Sequence, residues 1–256
     1  MRFTFNQIIK SLPVKKNSNS SWWVKLWVRK ISFIFTFFFI NLGFTSNSVS
    51  VLSILITLLA SMCFMIPNYI VNILGMILIN FWLILDCVDG NIARCNKQKT
   101  VYGEFIDDIS GYFTTAFIYM SIGVAAFHSD GLFFSSKSEL ILIFGVISSI
   151  SDILARLIHK DYVCFGYEKG VKNSEKVGTF FDEDKKTISY VRKRIGKEIG
   201  ISGLFMPFVI ISAIINCYDL ITIFYMLFNL VALISTSVLL FYKANKYDRG
   251  MKNETI

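Results

Sequence analysis

The amino-acid sequence predicts an all-α polytopic membrane protein, with six transmembrane helices behind an N-terminal amphipathic interfacial helix. Three observations carry that expectation. The 256 residues are 54% hydrophobic and 16% aromatic, with only three prolines, and the mean hydropathy is +0.56, which is membrane-like rather than typical of a soluble core. Six apolar runs are each long enough to cross a hydrocarbon layer roughly 30 Å thick. Basic residues then fall almost wholly on one side if those runs alternate across the layer.

The elements follow in order. Residues 1–43 form a cytoplasmic N-terminus and interfacial helix. It has no apolar stretch ending in a small-residue cleavage site, so no cleavable signal peptide is expected. In "SWWVKLWVRK", Trp22, Trp23 and Trp27 suit headgroup depth, with Lys25, Arg29 and Lys30 facing anionic lipid. The competing reading is a seventh span through "ISFIFTFFFINLGF". Charge decides between them. Seven Lys and Arg lie in residues 1–30, three in 94–99, eleven in 156–197 and four in 243–252, leaving only Lys137 elsewhere. Six spans with both termini in the cytoplasm put all but Lys137 on the cytoplasmic side, whereas a seventh would export the basic N-terminus. The net charge of +8 therefore reports topology and lipid contact, and nucleic acid is not an expected partner.

The spans read as 47–66, 69–94, 103–127, 139–159, 200–216 and 219–242, within a transmembrane domain of residues 44–242. Its cytoplasmic loop, 160–199, alternates charge with aromatics. A short helix near Ile188–Ile199 is expected there, its basic face on the membrane, with Arg192, Lys193 or Arg194 available to a lid. "FDEDKK", 181–186, reads as solvated charge, and 243–256 as a solvated basic tail. Five cysteines without a C-x-x-C pair read as packing residues.

No acidic residue occurs in the first 85 positions; then Asp86, Asp89, Glu104, Asp107 and Asp108 arrive together. Asp86 and Asp89, spaced i, i+3, share a helix face that Gly90 and Ala93 leave bare. Asp86 lies about 12 Å from Arg94 along the axis, just below the cytoplasmic surface. A short linker makes the next helix an antiparallel neighbour, and it brings Asp107. Clustered carboxylates in a bilayer repel unless a cation sits among them. Hard oxygen donors without His or Cys suit Mg²⁺, Mn²⁺ or Ca²⁺, the usual apparatus for phosphoryl chemistry. The competing structural reading is a salt-bridge cluster pinning helices together. In the fourth span Asp152 and Arg156 form an i, i+4 pair, either an ion pair tying helices or a recognition element for the acceptor.

Asp86-x2-Asp89-Gly90-x2-Ala93-Arg94-x8-Gly103-x3-Asp107 resembles the signature of the CDP-alcohol phosphotransferase (CDP-alcohol phosphatidyltransferase) family, complete except that the fourth aspartate is Gly111. "LGFTSNSVSVLS", 42–53, resembles the family's approach to its first span, with Ser46 in the proline position. The resemblance implies two ions, Mg²⁺ or Mn²⁺, held by Asp86, Asp89 and Asp107. It implies a nucleotide pocket of Asp86, Asp89, Gly90, Ala93, Arg94 and Gly103, and a homodimer. The donor would be CDP-diacylglycerol or another CDP-alcohol. An acceptor hydroxyl would attack the phosphorus outside the cytidylate, releasing CMP, in phospholipid or surface-glycan synthesis; a composition rich in Phe, Ile, Lys and Asn suits a bacterial inner membrane. The absent fourth acid, the family's proposed base, leaves three expectations: a substitute base (Asp108 beside Asp107, Glu104 or Asp152), a larger or differently activated acceptor using the space at Gly111, or a nucleotide- or lipid-binding scaffold without turnover.

Overall fold

The computed structural model describes residues 3–13, 18–97, 100–168 and 188–254, by backbone alone at 166–168, 188–193 and 246–254. Among them every regular element is a helix. Helix α1 (Phe5–Lys10) is followed by a π-helical turn, Val24–Val28, continuous with α2 (Arg29–Asn41). Then come α3 (Ser46–Met65), α4 (Tyr69–Cys95), α5 (Val101–His128), α6 (Glu139–Glu168) and α7 (Ile188–Ile199). A second π-helical turn, Ile201–Phe205, leads into α8 (Met206–Ile215), and α9 (Asp219–Glu254) closes the chain. Among the described residues six stretches are long and apolar enough to cross a membrane: α3, α4, α5, Glu139–Phe165, Arg194–Ile215 and Asp219–Asn245. The chain is an all-α polytopic membrane protein.

Helix starts are set by side-chain caps that satisfy the free N–H groups of a first turn. Thr45 Oγ1 accepts from Ser48 N at 3.2 Å, Asn68 Oδ1 from Ile70 N at 3.0 Å, and Thr100 Oγ1 from Gly103 N at 3.0 Å. The turn between α2 and α3 needs a positive φ, which Gly43 supplies at +90°.

Helix α3 packs against both α4 and α5, and α6 bridges α5 to α9. Hydroxyls pin α3 to α5: Ser53 and Ser110 Oγ atoms are 2.7 Å apart, and Thr57 and Thr114 Oγ1 atoms 3.0 Å. These buried pairs fix the register of the two helices near the acidic motif. Further along, α5 and α6 cross almost backbone to backbone. A Cβ added to Gly123 would sit 2.9 Å from the Gly145 Cα.

Three expectations are corrected. Arg29 does not face lipid: it is 7% exposed, and its Nη2 donates to Ser20 Oγ at 2.8 Å. It belongs to the inward side of a helix whose Val24, Val28, Ser32, Thr36 and Ile40, every fourth residue, are buried beside α4. Trp23 likewise packs on the core, while Trp27 stays 60% exposed. Helices α4 and α5 are not close-packed antiparallel neighbours: each packs on α3, which lies between them. The fifth span is broken at Gly203 (φ −113°, ψ −113°). A Cβ there would come within 2.0 Å of the Glu198 carbonyl oxygen, so the bend needs glycine. The stretch "FDEDKK", 181–186, lies outside the described residues, as do the side chains of Arg192 and Lys193.

Candidate active site at the α4–α5 hairpin

The end of α4 and the start of α5 meet the start of α3 around a cavity of about 830 Å³. Its wall includes Asp89, Gly90, Ala93 and Arg94 from α4, and Gly103, Glu104 and Asp107 from α5. Six of the predicted site residues thus share one cavity. Asp89 is only 5% exposed and is held by α3: its Oδ2 accepts from Ser50 Oγ at 2.7 Å, and its carbonyl oxygen from Ser46 Oγ at 2.9 Å. Gly103 lets α5 approach α3, since a Cβ would meet Asn47 Oδ1 at 3.1 Å and Thr100 Oγ1 at 3.0 Å. Arg94 Nη2 donates to Asn91 Oδ1.

Asp86 stands a turn deeper on α4, half-buried, and does not line this cavity. Its charge and that of Asp107 both bear on Asp89. The donor set is all hard oxygen, as a divalent ion requires. Yet among the described residues no three His, Cys, Asp or Glu side chains stand close enough together to hold one ion.

Asp108 turns away from Asp107. It lines a second cavity of about 690 Å³ with Tyr112, Asp152, Arg156, His159 and Lys160, over an apolar floor that includes Val163, Phe228 and Val231. Asp108 Oδ2 lies 3.0 Å from Lys160 Nζ, with both side chains about half exposed, and Arg156 Nε lies 3.2 Å from Asp152 Oδ2. Gly111, one turn beyond, has open space: a Cβ there would meet nothing within 4 Å.

Sequence reasoning missed Ser46 and Ser50 as supports of Asp89, and Lys160 as partner of Asp108. No local spacing rule links Ser50 to a residue 39 positions away. Lys160 is visible in the sequence only as one more basic residue near a span end.

The family model for CDP-alcohol phosphatidyltransferase matches residues 44–180, just over half of the chain. A curated relative, the archaetidylinositol phosphate synthase of Pyrococcus horikoshii, is 33% identical over 84 residues. That alignment covers 33% of this chain and 43% of the relative. With the motif and the six spans, these matches show that the chain belongs to the CDP-alcohol phosphatidyltransferase family.

Proposed function

We propose that this protein transfers a substituted phosphate group from a CDP-alcohol to an acceptor hydroxyl, releasing CMP, in membrane lipid or surface-glycan synthesis. The carrying observation is the single cavity that Asp89, Gly90, Ala93, Arg94, Gly103 and Asp107 share. Gly90 and Ala93 leave room for the nucleotide to lie close to the α4 backbone. Arg94 and Lys97, on the same wall, meet the diphosphate charge. Asp86, Asp89 and Asp107 would hold two Mg²⁺ or Mn²⁺ ions. The chemistry such ions would supply there is electrostatic stabilisation of charge developing at the reacting phosphorus.

The acceptor enters by the second cavity, whose Arg156, His159 and Lys160 favour an anionic group such as a phosphate. Its hydroxyl oxygen forms a bond to the phosphorus outside the cytidylate. The bond from that phosphorus to the CMP oxygen breaks, and CMP leaves with the electron pair. The acceptor proton passes to Asp108, which borders the acceptor cavity, so Asp107 and Asp108 divide metal binding and proton removal. A CDP-diacylglycerol donor, a homodimer, and termini facing the cytoplasm of a bacterial inner membrane complete the reading. An inositol phosphate is one acceptor to try, since the archaeal relative is named as a synthase of archaetidylinositol phosphate.

A second reading, a nucleotide- or lipid-binding scaffold without turnover, is favoured by Gly111 in the position of the family's fourth acid. The two part on one assay. Purified protein with Mg²⁺ or Mn²⁺, a panel of CDP-alcohols and phosphorylated or neutral acceptors releases CMP if the first holds. CDP binding without CMP release on any pair leaves only the second.

A further inference from the structure

Asn91 is fully buried, at 0% exposure, and occupies a position the family motif leaves open. Its Oδ1 accepts from Arg94 Nη2. Its Nδ2 donates to Thr36 Oγ1 at 2.9 Å and to Ser32 Oγ at 3.3 Å, both on α2. The hydroxyl protons are already spent within that helix. Ser32 Oγ donates to the Arg29 carbonyl at 2.9 Å, and Thr36 Oγ1 to the Ser32 carbonyl at 2.6 Å. Each hydroxyl therefore turns a lone pair, not a proton, toward Asn91. Two acceptors on one side force the amide nitrogen toward α2 and leave the amide oxygen for Arg94. Arg94 lines the α4–α5 cavity, and among the described residues its Nε has no hydrogen-bond partner. One arm of the guanidinium fork is tied down by Asn91, while the buried Nε is left unpartnered. The charge of buried Arg29 also bears on Arg94, so a second guanidinium sits close behind the first.

We infer that Asn91 is a positioning residue that orients Arg94 toward the donor diphosphate, and that Ser32 and Thr36 make the N-terminal helix a working part of the donor pocket. This rests on the donor-pocket reading above. A residue that merely glued α2 to α4 would change stability and leave donor affinity alone. A residue that orients Arg94 changes donor affinity through Arg94 and nothing else.

The test is calorimetric binding of CDP, with Mg²⁺, to the full-length protein in nanodiscs. Asn91→Leu keeps the side-chain size and removes both interactions; CDP affinity is expected to fall about 10-fold, the usual worth of a hydrogen bond to a charged group. Thr36→Val, a smaller perturbation should Asn91→Leu fold poorly, is expected to lower affinity severalfold while retaining wild-type helicity. In an Arg94→Lys background, Asn91→Leu should cost less than 2-fold more, because the group it orients is gone. Unchanged CDP affinity in folded Thr36→Val and Asn91→Leu overturns the inference, as does a full 10-fold loss in the Arg94→Lys background. If the wild type itself fails to bind CDP, the donor-pocket reading falls and this inference with it. Wild-type binding with unaltered variants removes the inference alone.

Discussion

Asp107 and Asp108 are neighbours in sequence, yet they open onto different cavities: Asp107 onto the one it shares with Asp89 and Arg94, Asp108 onto the one it shares with Arg156 and Lys160. Successive residues on a helix point about 100° apart, so one turn of α5 serves as a partition between two chambers. A reaction that joins a nucleotide-linked donor to a separate acceptor needs two such chambers and a contact between them.

That division predicts a split in kinetics. Asp108→Asn should lower CMP release about 100-fold, the usual scale of general-base assistance, while CDP affinity stays within 2-fold of wild type. Steady-state rates and calorimetry on the same preparation check this. A parallel loss of binding and rate would show that Asp108 belongs to the donor side.

The space at Gly111 predicts that Gly111→Asp folds. A Cβ there meets nothing within 4 Å, and glycine is a poor helix former, so the melting temperature should stay within a few degrees of wild type. With a fourth carboxylate restored near the acceptor, CMP release should rise roughly 10-fold or more, as base assistance permits. A folded variant with a lowered rate would mean instead that the acceptor uses that space.

Asp219 predicts a stability effect with no effect on chemistry. It is 1% exposed and accepts from Phe133 N at 2.6 Å, Leu220 N at 2.8 Å and Cys217 Sγ at 3.1 Å. It clamps the α5–α6 connection at the far end of the bundle, about 30 Å along α5 from Asp107. Asp219→Ala strands buried donors, at about 1–3 kcal/mol for an unsatisfied group. The melting temperature should fall several degrees, with the rate of CMP release per folded molecule unchanged.

The helix crossing at Gly123 and Gly145 predicts a larger defect. Each added Cβ would lie 2.9 Å from the opposing Cα, so Gly145→Val must push α5 from α6. Both cavities draw residues from α5. Loss of monodisperse protein on size-exclusion chromatography, together with loss of CDP binding, is expected.

Much of this fold is legible in the sequence, because span length and hydropathy act locally. Helices α3, α4 and α5 begin and end within two residues of the expected runs. The motif spacing also brings Asp89, Gly90, Arg94 and Asp107 to one cavity, although α4 and α5 meet there through α3, on which both pack, rather than side by side. What the sequence hid was long-range or directional. Arg29 reads as a lipid-facing charge because its buried partner, Ser20, has no signature of its own. Asn91 fills an unspecified motif position, and its meaning depends on which way two hydroxyls on α2 point. The break at Gly203 depends on a carbonyl five residues earlier, and glycine alone does not announce it.

The account stands on the donor cavity being a divalent-ion and nucleotide site, and one measurement bears on that most directly. Mn²⁺ binding followed by electron paramagnetic resonance, with and without CDP, is compared between wild type and Asp89→Asn in nanodiscs. The wild type should take up Mn²⁺ more tightly when CDP is present, and Asp89→Asn should weaken Mn²⁺ binding about 10- to 100-fold and lose the response to CDP. Equal Mn²⁺ binding by a folded Asp89→Asn, or wild-type binding indifferent to CDP, would contradict it.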